Sequence, residues 1–445
     1  IIPEIKYMFK HILIQIVAYD TLLLRRRRQL HTLVGQSMET LYADRLSQFY
    51  EELAHHFDSG TEWDKAVYYR VQAGMKAMQH HAINAALSHF DRAKEILQDQ
   101  KLDAPWRVRY DLSFQRSVAL GDRGRWPLAH EEMTEAVAIA RREGANNLLG
   151  ESMFALSNAA FWSHRFDECL KIVDDLERMV GDDQSARLGI ISTQVRSNFM
   201  FGDLKGALIK EIEVNELFEQ VPESPHVGQA AFWLGVFHRF RGDNELAAKF
   251  LDLAAERAKR GASAGGYIQS FMHYCLAIGE KGDYQEAITL LKEAREYGER
   301  ADSRYGLLKI DNTLGWAYLE ICNFETAIHH NEMSLMSTDK VRDVSTSTLS
   351  EVDSFGRLNL GDTYAMMGDF SRAKGYYEQA YENAKDNQYF LARTRWKPRC
   401  LIALGELWLA LGDTQKAQEF VVEVEADGFT EGFPFKKHRA RLNRL

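Results

Sequence analysis

Gly242-Asp243-Asn244-Glu245-Leu246-Ala247, Gly282-Asp283-Tyr284-Gln285-Glu286-Ala287, Gly368-Asp369-Phe370-Ser371-Arg372-Ala373 and Gly412-Asp413-Thr414-Gln415-Lys416-Ala417 are four copies of one phrase. A Gly ending one helix can take the left-handed conformation that satisfies its last carbonyls. The Asp that follows can accept hydrogen bonds from the first free N–H groups of the next helix. Each phrase therefore reads as a helix–turn–helix corner, and its closing Ala lets the two helices approach closely. Weaker copies close at Ala129, Cys169, Ala207 and Ala327. The markers 129, 169, 207, 247, 287, 327, 373 and 417 are spaced by 40, 38, 40, 40, 40, 46 and 44 residues.

The flanks keep the same beat. Leu234-Gly235, Leu314-Gly315, Leu360-Gly361 and Leu404-Gly405 stand thirteen and twelve residues before their markers, and Tyr318, Tyr364 and Trp408 follow three residues after the Gly. Apolar residues recur four and seven residues past the marker, as at Leu251 and Ala254, Leu291 and Ala294, or Tyr377 and Ala380. That spacing is the stripe of an amphipathic helix. Towards the amino terminus the beat shortens: Glu62-Trp63-Asp64-Lys65-Ala66 is a good corner, and the next marker, read as Ala85, follows after 19 residues. The longest interruption, Ser337 to Ser350, is Ser/Thr-rich and reads as a surface loop. Asp427-Gly428-Phe429 to Gly432-Phe433-Pro434 reads as the closure of the array.

Composition agrees with paired helices. Of 445 residues, 45% are hydrophobic and 27% charged, which excludes disorder, and 7 prolines are few enough to favour long helices over a many-loop β architecture. Net charge is −9. Residues 1–36 carry six basic against two acidic residues (+4), and 436–445 carry five basic ones (+5), which leaves −9 − 4 − 5 = −18 between them. An acidic body repels phosphate backbones, so no nucleic acid is expected as partner. The apolar stretch Ile12 to Leu24 is broken by Gln15 and Asp20 and is too short for a membrane span. It lacks a signal-peptide pattern, and the chain reads as a piece of a longer protein. Cys169, Cys275, Cys322 and Cys400 lie dozens of residues apart, as buried thiols of a reducing, cytoplasmic compartment do.

Leu360-Gly361-x-x-Tyr364, Gly368-Asp369-Phe370, Ala373, Tyr377 and Ala380 resemble the helix-pair signature of the tetratricopeptide repeat family. The likeness recurs over roughly residues 45–425 and departs from the family in its period of about 40 instead of the usual ~34. It implies an all-α, right-handed superhelical solenoid of antiparallel helix pairs, about nine or ten of them, between a helical junction at 1–44 and a cap with a basic tail at 426–445. A second resemblance rests on Phe9-Lys10-His11, Gln15, Val17-Ala18-Tyr19, Leu22-Leu23, Arg25 to Arg28 and Leu30-His31. This run is similar to the junction after the winged-helix part of signal-transduction ATPases, in particular large bacterial proteins that join a class III adenylate/guanylate cyclase, an AAA-like ATPase and a repeat region. Ile16 replaces their usual acid. The resemblance implies that nucleotide and cyclase chemistry would lie upstream, with none of its residues in this chain.

Little in the chain itself points to catalysis. Gly261-Ala262-Ser263-Ala264-Gly265 fits a G-x-S-x-G nucleophile elbow, but that chemistry needs a strand before the Ser, and Leu246 to Lys259 is helical by pattern. The pairs His55-His56, His80-His81 and His329-His330 point about 100° apart on a helix and cannot share one ion without a third group. No phosphate-binding Gly-rich loop occurs. No metal and no cofactor is expected.

In repeats of this kind the first helix of each pair lines a concave groove. Counting back 15, 11 and 8 residues from the markers gives Phe154, Asn158 and Phe161; Ser192, Arg196 and Phe199; Phe232, Val236 and Arg239; and Asn312, Trp316 and Leu319. Rings bury area while Arg and Asn satisfy backbone carbonyls or a carboxylate. The expectation is a non-catalytic sensor that takes a peptide, protein or small effector in this groove and contacts an upstream ATPase domain. A pure assembly scaffold and a hydrolase using Ser263 are the alternatives.

Overall fold

The computed structural model describes residues 12–200, 204–261, 263–337, 346–385, 395–426 and 440–445, and all their regular elements are helical. Packing divides the chain into two units, one ending at Arg116 and one starting at Ser117. The first holds α1 (Ile12–Asp20), α2 (Leu24–Leu41), a 3-10 turn (Leu46–Phe49), α3 (Tyr50–Gly60), α4 (Trp63–Gln79), α5 (Ile83–Asp99) and most of α6 (Trp106–Asp122). The second begins within α6. It continues through α7 (Trp126–Arg142), α8 (Asn146–Trp162), α9 (Phe166–Val180), α10 (Gln184–Met200), α11 (Leu204–Gln220), α12 (Val227–Arg241) and α13 (Asn244–Arg260). It ends with α14 (Ala264–Glu280), α15 (Tyr284–Arg300), α16 (Arg304–Glu320), α17 (Phe324–Ser337), α18 (Thr346–Met366), α19 (Phe370–Lys385), α20 (Lys397–Ala410) and α21 (Thr414–Ala426).

In the second unit each marker is the fourth residue of an odd-numbered helix, and all eight, from Ala129 to Ala417, are buried. Five residues earlier stand Gly124, His164, Gly242, Gly282, Cys322, Gly368 and Gly412, all with φ between 58° and 111°. The corner of Ala207 lies outside the described residues. At Gly242 the turn closes as expected: its N–H donates to Arg239 O (3.0 Å) and the Asp243 N–H to His238 O (2.9 Å), the paired bonds of a Schellman ending. The expected Asp caps form only in part. Asp369 and Asp413 accept from the N–H of Arg372 and Lys416 (3.0 Å each), whereas Asp243 and Asp283 make no capping bond. Asp243 is instead drawn towards His238 and Arg241 (3.7 and 3.8 Å).

From α7 onward each helix packs on the next, and even-numbered helices also pack on one another, α10 on α12, α14 on α16 and α16 on α18. The Leu-Gly glycines mark the closest crossings. A Cβ on Gly235 would lie 2.5 Å from Leu251 Cγ, and one on Gly361 would collide with the Tyr377 ring. The first unit uses the same corner after α3, α4 and α5, with Thr61, His81 and Lys101 in left-handed geometry. This accounts for the short step, and it moves the second marker: Ala86 is buried and Ala85 exposed.

The Ser337–Ser350 loop is also shorter than expected. Thr346 to Ser350 are the first turn of α18, which starts early enough to bury Val352 between helices. Residues 338–345 and the expected closure from Asp427 to Pro434 lie outside the described residues. Residues 440–445 pack back on the last repeat, Leu442 against Leu401, Ile402 and Val424.

Cys322 and His164 hold left-handed φ without being glycine, at a cost of about 1 kcal/mol each. Cys322→Gly is therefore expected to raise stability by up to about 1 kcal/mol, since exposed Cys322 loses no packing. A midpoint of denaturation unchanged or lowered in the variant would contradict that account.

Candidate ligand cavity

First helices of the pairs in the second unit line an open-sided cavity of about 520 Å³. Its wall comes from the end of α6, from α8, α12, α14 and α16, and from Trp126, Ala129 and Met133 of α7 and Ala254, Arg257 and Ala258 of α13. Even-numbered helices face inward because the marker Ala and the stripe after it turn the odd-numbered helices onto their partners. One side of the array is tied by Arg123, whose Nη1 donates to the Asp302 carbonyl and whose Nη2 lies 3.1 Å from Asp302 Oδ2. This joins the turn after α6 to the turn before α16.

Phe154, Asn158 and Phe232, all expected in the groove, line this cavity and are half-buried. Phe154 meets His226 at a tilt (4.5 Å between centroids) and Phe232 meets Trp233 and His273 edge-on. Phe161 and Arg196 lie behind the wall. Arg196 is fully buried, 4.0 Å above the Phe161 ring and 5.6 Å from Trp233, and donates to Asn158 Oδ1 (3.0 Å) and Cys169 Sγ (3.5 Å). Among the described residues no carboxylate pairs with it and its Nε makes no hydrogen bond, and burial lowers its pKa. The Phe199 side chain lies outside the described ones.

Arg239 and Trp316 line a second cavity, of about 1110 Å³, towards the carboxy-terminal repeats. Arg239 pairs with Glu280 (2.8 Å), and Trp316 Nε1 donates to Glu320 (3.0 Å). Asn312 lines neither. It is buried between repeats, donating to Val352 O (2.8 Å) and accepting at its own carbonyl from Asn359 (3.0 Å). Ser263 caps α14, its Oγ accepting from the Gly266 N–H (3.1 Å), and α13 rather than a strand precedes it. Of the paired histidines, His56 shares a short contact with His31 (2.9 Å). Among the described residues no group of three or more His, Cys, Asp or Glu side chains is arranged to hold a metal ion.

Two features escaped the register count. Asp122 and Trp162 on the cavity wall stand seven residues before their markers, a position that the count of 15, 11 and 8 passes over. Lys309 also reaches the wall, held by Glu351 (3.3 Å) and Gln269 (3.2 Å), while Arg395 holds the other Glu351 oxygen (3.1 Å). Burial alone would raise the Glu351 pKa, but the two cations more than offset this and keep it below the ordinary carboxylate value. Lys309 is lowered by burial, partly offset by Glu351. His273 is kept neutral by burial and by Arg239, Lys309 and Arg395.

An inward-facing array of first helices around a ligand-sized cavity defines a helical-repeat protein of the interaction-module type. Models of the tetratricopeptide repeat match residues 357–387 and 398–422, and the described residues form a tetratricopeptide-like helical-repeat region. Among solved structures, a Rap protein complexed with competence and sporulation factor is similar at 14% identity, over 84% of this chain and 99% of that one, with a TM-score of 0.51. At that identity the likeness concerns the fold alone. NprR in complex with its cognate peptide NprX (12% identity, 73% and 96% covered, TM-score 0.48) is also similar. So is a STAND signal-transduction ATPase with a tetratricopeptide repeat sensor from Pyrococcus horikoshii (12% identity, 81% and 54% covered, TM-score 0.44). Among curated proteins no sequence match is found. No helix of the described residues is long and apolar enough to cross a membrane.

Proposed function

We propose that this chain is a non-catalytic sensor module that takes a peptide or a short protein segment in the cavity of its second unit. The observation that carries the reading is the open-sided 520 Å³ cavity itself, lined by the inward faces of α6, α8, α12, α14 and α16 and walled mainly by rings and small residues with a few polar groups. Phe154, Phe232 and Asn158 are the contact residues of this reading, with Phe161, Arg196 and the first helix around Phe199 supporting the wall. Arg239 and Trp316 extend the site into the second cavity, and Asn312 acts by holding two repeats in register. The similar Rap protein is complexed with competence and sporulation factor, which supports a bound ligand here.

The wider setting is the cytoplasmic repeat region of a signalling ATPase or cyclase-type protein, with residues 1–44 as junction, 45–425 as sensor and 426–445 as cap and tail. Ligand binding would shift a neighbouring ATPase domain only through different affinity for its two states. The junction motif around Phe9-Lys10-His11 supports this setting. A small effector in place of a peptide remains compatible with the same cavity.

Selection from a random peptide library tests the reading. The wild-type chain is expected to enrich a consensus that the Phe154→Ser/Phe232→Ser double variant does not. Equal enrichment by both proteins, with the variant's helicity unchanged, sinks the assignment.

A further inference from the structure

Among the charged side chains on the cavity wall, Asp122 differs from the rest. Arg257 is held by Glu223 (3.1 Å) and Lys309 by Glu351 (3.3 Å). Asp122 ends α6 half-buried, and among the described residues its carboxylate has no ion pair and accepts no hydrogen bond. Its neighbour Arg123 is turned to Asp302, and Tyr297 is the other titratable group beside it. Gly265 leaves room in front of the carboxylate, since a Cβ there would come within 3.0 Å of Oδ1.

The wall next to it is aromatic. Trp126 follows Asp122 by one turn and stacks with Trp162 at 5.8 Å, and Trp162 is 6.2 Å from Trp233. Arg196 already serves the Trp233 ring, whereas Trp126 and Trp162, both half-buried, line the cavity without a cation over them among the described residues. A solitary acid beside partly exposed indoles is complementary to a positive charge on an apolar body, because the ring quadrupole and the carboxylate attract the same group.

We infer that the cavity recognises an organic cation, an ammonium or guanidinium paired with Asp122 whose apolar body lies on Trp126 and Trp162. The inference rests on the reading of this cavity as the ligand site. Burial pushes the Asp122 carboxyl up to about 7, with Arg123 opposing. A bound cation favours the ionised form, so affinity should rise as pH climbs through 7, with release of a proton.

Three probes of one shape separate the outcomes: tryptamine, its neutral alcohol analogue tryptophol, and the anionic indole-3-propionate, followed by calorimetry in two buffers. Tryptamine is expected to bind roughly tenfold tighter than tryptophol, the preference that one hydrogen bond to a charged group supplies. Asp122→Asn should abolish that preference and leave tryptophol binding unchanged. The substitution removes no internal partner, so the variant is expected to fold. Equal binding of the three probes overturns the cation assignment and leaves the cavity reading standing. Absence of binding by all three, together with failed peptide enrichment, removes both. Displacement of tryptamine by an enriched peptide shows that the two occupy one site, and its persistence beside saturating peptide places the cation away from the peptide path and overturns the inference.

Discussion

Glu351→Gln is expected to destabilise the second unit by about 3 kcal/mol, the low end of the penalty for stripping a buried ion pair of one partner. Glu351 is the only anion in direct contact with both Lys309 and Arg395 among the described residues, and the side chains of all three are less than a fifth exposed. Glutamine keeps the volume and one acceptor but not the charge. Two cations then face each other with Arg239 close by, and Arg239 is already matched by Glu280. Because Glu351 is held below its ordinary pKa, its contribution is present above the unfolded carboxylate value, near 4.5, and fades as pH falls through the lowered folded value. The deficit should therefore be full at pH 7 and shrink in acid. Chemical denaturation checks the size, and amide exchange over 304–320 and 395–410 checks the place. Adding Lys309→Met to Glu351→Gln should return part of the loss, since it removes one unpaired cation. A deficit below about 1 kcal/mol at pH 7 would mean that water, not Glu351, solvates the two cations.

Gly315→Ala should cost about 2–4 kcal/mol, from overpacking plus broken buried hydrogen bonds. A Cβ at 315 would collide with the amide of Asn331, which is fully buried. That amide donates to Ala327 O (2.8 Å) and accepts from Asn359 (3.0 Å), and Asn359 also donates to Asn312 O (3.0 Å). One methyl group thus disturbs a ladder joining α16, α17 and α18. The same substitution at Gly375, inside α19, meets nothing within 4 Å and should stabilise by up to about 1 kcal/mol, the helix-propensity difference. Because repeat arrays unfold in parts, exchange protection over 304–337 is the better measure than a single midpoint. If the two variants shift protection alike, backbone propensity, not the crossing, governs Gly315.

The contrast between these glycines shows where sequence legibility ends. The phrase at Gly242 to Ala247 announces a corner through local chemistry, a left-handed Gly and a buried Ala, so it can be read without the fold. Cys322 and His164 occupy the same left-handed site with no local signature, and only the 40-residue beat places them there. Phe154, Asn158 and Phe232 were reachable by counting along one helix face. Arg196 sits on the same face and counts the same way, yet it is sealed behind Phe161 because the packing of α8 against α10 decides depth, which register does not encode.

By itself the sequence determined the helix pairs, their beat and the corners, because all of these depend on contacts within about one repeat. Tertiary structure alone decided what meets across repeats: Arg123 reaching Asp302 over 179 residues, Lys309 and Arg395 converging on Glu351, and Asp122 left unpaired among tryptophans. Small rotations between neighbouring pairs accumulate along a solenoid, so the partners of a wall residue depend on every interface between them.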